Sequence, residues 1–361
     1  MKAMVLGDLK TLFGTENEPG KIEWFRGKKV EVQGVQIMSL QDDLMPGRIV
    51  NYHEILLKAL GVDQRGLKDS IERISVALLG WPLLKNRDKD RVVGVAGTVS
   101  MPIDHFTYAI GMASALQKVH DETGIAVDIT YHPMMAISRQ MIPLIQSCSA
   151  QRTWQRALLQ NEMHARQTLI ELLAVHDMLD VGVGIENEPV TSDPWGNLYH
   201  IGNRLWGETL FRLPRGWGIT ADLQHLIMIL RCLQSAEYEM IFPPFPASIE
   251  GYDPDDLPAN PETWNLAYQF SALEQVKGPI TFHVSQVAPG AGNIDRHITP
   301  PFAFSDTNLM DWPEIFRLML ELDEKRDNEV WYAVEQDGGH IAPSGWQADL
   351  RAFQDLQERL H

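Results

Sequence analysis

Residues 181–187 read Val-Gly-Val-Gly-Ile-Glu-Asn, and residues 218–225 read Gly-Ile-Thr-Ala-Asp-Leu-Gln-His. Each is a short apolar run closed by an acid. Continuous apolar runs of this length are what parallel strands look like when both faces are covered. Similar runs recur at residues 4–6, 32–38, 92–99, 125–131, 279–282 and 330–334, which brings the set to eight. Helical spacing of apolar residues separates them, at residues 106–120, 153–179, 222–233, 313–322 and 346–360. Eight strands alternating with helices predict an α/β chain folded as a (β/α)8 TIM barrel, one domain over residues 1–361. A doubly wound sheet is the alternative architecture. Against it, the chain has no glycine-rich phosphate loop of G-x-G-x-x-G or Walker spacing.

Composition narrows the function classes. The formal net charge is −17 over 361 residues. A body this acidic repels phosphate backbones and anionic membrane surfaces, so neither nucleic acid nor membrane is expected as a partner. The two cysteines, Cys148 and Cys232, exclude a disulfide framework and a zinc-thiolate cluster. With no signal-peptide core and no 18-residue apolar window, the expected location is cytoplasmic. Two segments read as long non-barrel stretches. Residues 38–60 carry Asp42, Asp43, Pro46 and Gly47, and residues 241–261 hold six of the 21 prolines. Proline at that density forbids regular helix. An insertion in a βα loop commonly covers an active mouth or makes an interface.

Acids and histidines gather at the ends of the predicted strands. Strand four ends in His132, strand five in Glu186, and strand six in Asp222 with His225. Strand seven ends in His283 and strand eight in Glu335, while Asp295 and His297 follow strand seven. One acid at a strand end is explained as readily by a structural ion pair. Five successive strands delivering acids and imidazoles to one rim point to a shared site, because barrel strands converge there. Three crowded carboxylates repel one another unless a cation neutralises them. Oxygen and imidazole ligands without thiolate suit Mn2+, Mg2+, Co2+, Fe2+ or Zn2+. Trp195, Trp206 and Trp217, with Arg204, Arg212 and Arg215, are read as lying in the loop after strand five. Sugar faces stack on such rings and guanidinium groups bind anionic substrate groups, though packing and solvation explain each residue singly.

These residues, with the Glu186-Asn187 pair and the Asp222-x-x-His225 spacing, resemble the xylose isomerase-like barrel superfamily. The resemblance covers residues 1 to about 337. It implies one divalent metal, Mn2+ foremost, held by Glu186, Asp222, His283 and Glu335. It also implies that Glu186 and Glu335 serve as acid and base. His132 is a further candidate base, since an imidazole works near neutral pH without a large pKa shift. His225, Asp295 and His297 form a second tier that orients ligands, binds substrate or holds a further ion. Asp295-Arg296-His297 and His132 are also shared with the endonuclease IV branch, which holds three zinc ions. The chain departs from that branch at the predicted third strand, where Val99-Ser100-Met101-Pro102 offers no histidine.

Three function classes follow. The first is a metal-dependent sugar isomerase or epimerase that abstracts a proton beside a carbonyl or hydroxyl. The second is a lyase of the same fold, similar to the C-glycoside deglycosidases, which take a 3-oxo glycoside and work with a small second subunit. The third is a non-catalytic barrel that binds a ligand. The expected partners are a carbohydrate or glycoside substrate and either a small second subunit or further copies of the chain.

Overall fold

A computed structural model of the protein describes residues 1–15, 17–39, 51–61, 69–78, 95–96, 103–131, 135–138, 176, 178–187, 197–200, 217–226, 266–287, 297–298, 311–326, 329–335 and 343–360. Eight strands close into a barrel: β1 (Lys2–Gly7), β2 (Gly34–Ser39), β3 (Arg73–Leu78), β4 (Ala126–Tyr131), β5 (Gly182–Glu186), β6 (Trp217–Asp222), β7 (Ile280–Val284) and β8 (Val330–Val334). Their order around the wall is β1-β8-β7-β6-β5-β4-β3-β2, and every pairing is parallel. The described helices are α1 (Leu9–Phe13), α2 (Lys21–Gly27), α3 (Tyr52–Leu60), α4 (Ile103–Thr123), α5 (Leu266–Leu273), α6 (Trp312–Lys325) and α7 (Pro343–Leu360). The fold is the (β/α)8 barrel that the alternation of runs predicts. Among the described residues no helix is long and apolar enough to cross a membrane.

The two-residue period of a strand sorts its side chains. Val35, Ile37, Ile74, Val76, Val127, Ile129, Val183, Ile185, Ile219, Phe282 and Tyr332 point outward into the main apolar core beneath the helices. The alternate residues fill the barrel. Met4, Leu6, Trp331 and Ala333 form a separate apolar cluster on the β1–β8 side. The rest of the interior is polar. Arg73 Nε donates to Asp128 Oδ2 at 2.7 Å and its Nη1 to Thr281 Oγ1 at 2.9 Å. Ser75 Oγ donates to Asp128 Oδ1 at 2.7 Å and shares a hydrogen bond with Thr130. The guanidinium also lies 5.4 Å from the Trp331 ring centroid, within cation–π range. A Cβ on Gly182 of β5 would sit 2.9 Å from that of Asp128, so glycine there leaves room for the carboxylate that Arg73 meets.

Three expectations are corrected. The third barrel strand is residues 73–78, not 92–99. Val95–Ala96 instead pairs antiparallel with Met135–Ser138, which pairs with Asn197–His200, in a small sheet built from the segments after β3, β4 and β5. The true β3 reads Arg-Ile-Ser-Val-Ala-Leu and also carries no histidine. Residues 52–60, within the stretch expected to be non-barrel, form helix α3 with Tyr52, Leu56 and Leu60 buried. Trp217 is no loop residue; it opens β6 and is buried in the core. Residues 241–261 lie outside the described residues.

Candidate metal centre

Parallel strands of a closed barrel all point their C-terminal ends at one mouth, and β5 to β8 bring four side chains together there. Glu186 is the last residue of β5 and Asp222 the last of β6. His283 lies in β7, and Glu335 follows β8 directly. In register His283 stands opposite both Asp222 and Ala333, so the neighbouring strands deliver their groups at one height. All four residues are buried, and one ligand atom from each lies within 4.8 Å of the other three.

His283 Nδ1 is the centre of the group. It lies 2.7 Å from Glu335 Oε2, 3.4 Å from Glu186 Oε1 and 3.9 Å from Asp222 Oδ2. Despite these approaches Nδ1 makes no hydrogen bond of acceptable geometry. The other ring nitrogen, Nε2, donates to Gln36 Oε1 at 2.6 Å. The lone-pair nitrogen of a neutral His283 therefore faces three carboxylates. Acceptors so disposed converge on one point. Ligands around 2.0–2.3 Å from a shared cation stand about 3–4.5 Å from each other; the Glu186 and Asp222 approaches match this, the Glu335 approach is shorter, and the donor set fits a divalent ion. Burial opposes a charge on the imidazole, but Glu186 and Glu335 outweigh it and hold the His283 pKa well above the usual histidine range. Without a metal, a proton is the cation that these carboxylates draw to the ring.

Asn187 is the clamp beneath the site. Its Oδ1 accepts the Asp222 backbone N–H at 2.6 Å and its Nδ2 donates to the Asp222 carbonyl at 3.0 Å. Its own N–H continues the ladder to Thr220 O. A side-chain amide thus stands in for a strand neighbour and locks the ends of β5 and β6 together. The next turn is helical, residues 223–226. Asp222 Oδ1 accepts from the His225 N–H at 2.9 Å, as a helix N-cap does. His225 Nδ1 is tied to Asn187 O at 2.8 Å, which turns Nε2 toward Asp222 Oδ2, 3.8 Å away.

The structure thus brings together Glu186, Asp222, His283 and Glu335, with His225 beside them. His297 lies in a two-residue strand, His297–Ile298, paired with Gln286–Val287 just beyond β7. His132 and Asp295 lie outside the described residues. Gln36 is the site residue that the reading of strand ends passes over, since it sits mid-strand. The available signal was its polarity between Val35 and Ile37.

No protein-family model matches the chain, and no curated protein matches it. Solved structures do. A D-tagatose 3-epimerase-like protein superimposes with a TM-score of 0.50 at 14% identity, over 100% of this chain and 97% of that one. A mannonate dehydratase from Streptococcus suis serotype 2 gives 0.51 at 11% identity, over 100% and 94%. A xylose isomerase domain protein from Planctomyces limnophilus gives 0.46 at 12%, over 99% and 95%. The likeness is one of fold. The chemistry rests on the side chains described above.

Proposed function

We propose that the protein is a divalent-metal-dependent sugar isomerase or epimerase that moves a proton at a carbon beside a carbonyl or hydroxyl. The carrying observation is the convergence of Glu186, Asp222, His283 and Glu335 on one point at the C-terminal rim of the barrel. The fold shared with a D-tagatose 3-epimerase-like protein agrees with this reading. A bound cation, Mn2+ before Mg2+, Co2+, Fe2+ or Zn2+, supplies Lewis-acid polarisation of neighbouring substrate oxygens.

The protein's residues divide the remaining work. Glu186 and Glu335 come from strands separated by β6 and β7, so they flank His283 and Asp222 from two sides. One takes the proton from the substrate carbon at a carboxylate oxygen, and the other returns a proton on its own side. His225, held through Nδ1, presents Nε2 to a substrate hydroxyl. His132 is the candidate for a further base.

The test is turnover of a panel of ketoses and aldoses in D2O after chelation and again after Mn2+ is restored. The reading predicts an isomeric product that gains one deuterium at the carbon beside the carbonyl, with activity lost on chelation and regained with Mn2+. Full activity in metal-free protein, or no deuterium in the product, would overturn it. A second reading keeps the proton abstraction and adds loss of a leaving group. Its support is the fold shared with a mannonate dehydratase. It predicts a product lighter than the substrate. In its two-subunit form, which takes a 3-oxo glycoside, the isolated chain is silent until a small second subunit is added.

A further inference from the structure

We propose that Gln36 is a positioning residue of the metal centre: its side-chain oxygen selects the Nε2–H form of His283 and so leaves the Nδ1 lone pair for the cation. The inference rests on the metal reading above and extends it to a residue on the far side of the barrel. Gln36 lies on β2, which is separated from β7 by β1 and β8. It faces the barrel interior, in register with Leu6 on β1 and Ser75 on β3. It is fully buried and reaches across the apolar half of the interior to meet His283 Nε2 at 2.6 Å.

Two observations indicate that the oxygen is the useful part of this amide. The Gln36 Nε2 is buried without a hydrogen-bond partner among the described residues. A buried, unsatisfied amide donor carries a desolvation cost that methionine of similar size would avoid. On the β1 side the neighbour of Gln36 in register, Leu6, belongs to the apolar cluster with Met4, against which Met38 of the same strand as Gln36 packs, so that side does not call for a polar residue. The acceptor's chemistry fits its task. An imidazole that ligates through one nitrogen needs its other N–H held, or the ring turns and the tautomer is undefined. A carboxylate would hold it too, but would add a fourth negative charge beside Glu186, Asp222 and Glu335. A neutral amide fixes the tautomer without that charge. His225 is treated alike, its Nδ1–H tied to the neutral carbonyl of Asn187.

The experiment compares full-length wild type with Gln36→Met, which removes the acceptor, and Gln36→Glu, which keeps it. Mn2+ affinity is read by titration calorimetry and by the EPR signal of free Mn2+, with circular dichroism as the check on folding. The expected result is a 10–100-fold loss of Mn2+ affinity in Gln36→Met, the usual worth of such a partner, and no loss in Gln36→Glu, which keeps the acceptor and adds negative charge. Wild-type affinity in a folded Gln36→Met, or equal losses in the two variants, would overturn the inference. Should Gln36→Met not fold, 15N NMR of the histidine rings in Zn2+-loaded wild type decides. A proton on His283 Nε2 with the metal on Nδ1 supports the role, and a metal on Nε2 refutes it. A wild type that binds no Mn2+ would instead defeat the metal reading itself.

Discussion

His283 places two cations in competition for one nitrogen. In metal-free protein the carboxylates hold the His283 pKa well above its ordinary value despite burial, so near neutral pH the ring carries a proton. The sign of the linkage follows. This protonation stabilises the metal-free fold fully below the unfolded histidine pKa of about 6.5, and the stabilisation is lost as pH rises through the raised folded value. A metal must displace that proton, so Mn2+ affinity is expected to rise with pH and binding to release a proton. Calorimetry in two buffers of different ionisation enthalpy measures the release; identical heats in both would contradict it. Asn187 provides a second test at this scale. Asn187→Ala removes both side-chain bonds to the Asp222 backbone and should cost about 1–3 kcal/mol in denaturant unfolding. It should also weaken Mn2+ binding, because the ends of β5 and β6 lose their common clamp. Glu186, Asp222, His283 and Glu335 were legible in the sequence because each ends or closely follows an apolar run. Gln36 was not, because no local pattern reports a contact between residues 247 positions apart.

At the scale of elements, seven of the barrel strands announce themselves as apolar runs, and β3 does not. Its inward residues are Arg73, Ser75 and Ala77, so its sequence alternates, whereas residues 92–99 form the more continuous β-branched run. The alternation is a consequence of the polar interior that β3 helps to build with Asp128 on β4 and Thr281 on β7. Removing one partner from a buried ion pair strands the other, so Asp128→Ala is expected to destabilise the fold by roughly 3–5 kcal/mol. Replacing both partners at once, as Arg73→Met with Asp128→Leu, should cost less than the single change. Equilibrium urea unfolding measures both, and equal costs would show that the pair is not what holds the interior. Behind β4, His176 makes a 2.8 Å hydrogen bond to Tyr131 Oη. Burial drives its pKa down to about 4, against the opposing influence of the Val181 backbone and Asp128. The folded chain refuses a proton that the unfolded chain accepts. This residue therefore subtracts stability as pH falls from about 6.5 to about 4, by about 3 kcal/mol in all. Unfolding of the metal-free protein across that window should show the slope, and His176→Gln should flatten it.

Across the whole molecule, the barrel closes where β1 pairs with both β2 and β8, and the last helix fastens that seam. Lys21 at the start of α2 donates to Asp349 Oδ2 of α7 at 2.5 Å and to Leu6 O at 3.1 Å, with both side chains of the ion pair buried. Trp24 and Phe25 of α2 pack against Trp346 and Phe353 of α7 beside it. Burial lowers the Lys21 pKa and Asp349 opposes the shift. Such a junction is invisible to periodicity, because the two helices lie at opposite ends of the chain. The chain's charge of −17 belongs to this scale too. It sets a negative field that favours the approach of cations over anions. One such cation is expected among Glu186, Asp222, His283 and Glu335. Anomalous diffraction from Mn2+-soaked crystals at the manganese edge is the decisive measurement. A single strong peak is expected about 2.0–2.3 Å from Glu186, Asp222, His283 Nδ1 and Glu335. A crystal at saturating Mn2+ with no peak among those four, or with its peak on other residues, would contradict it.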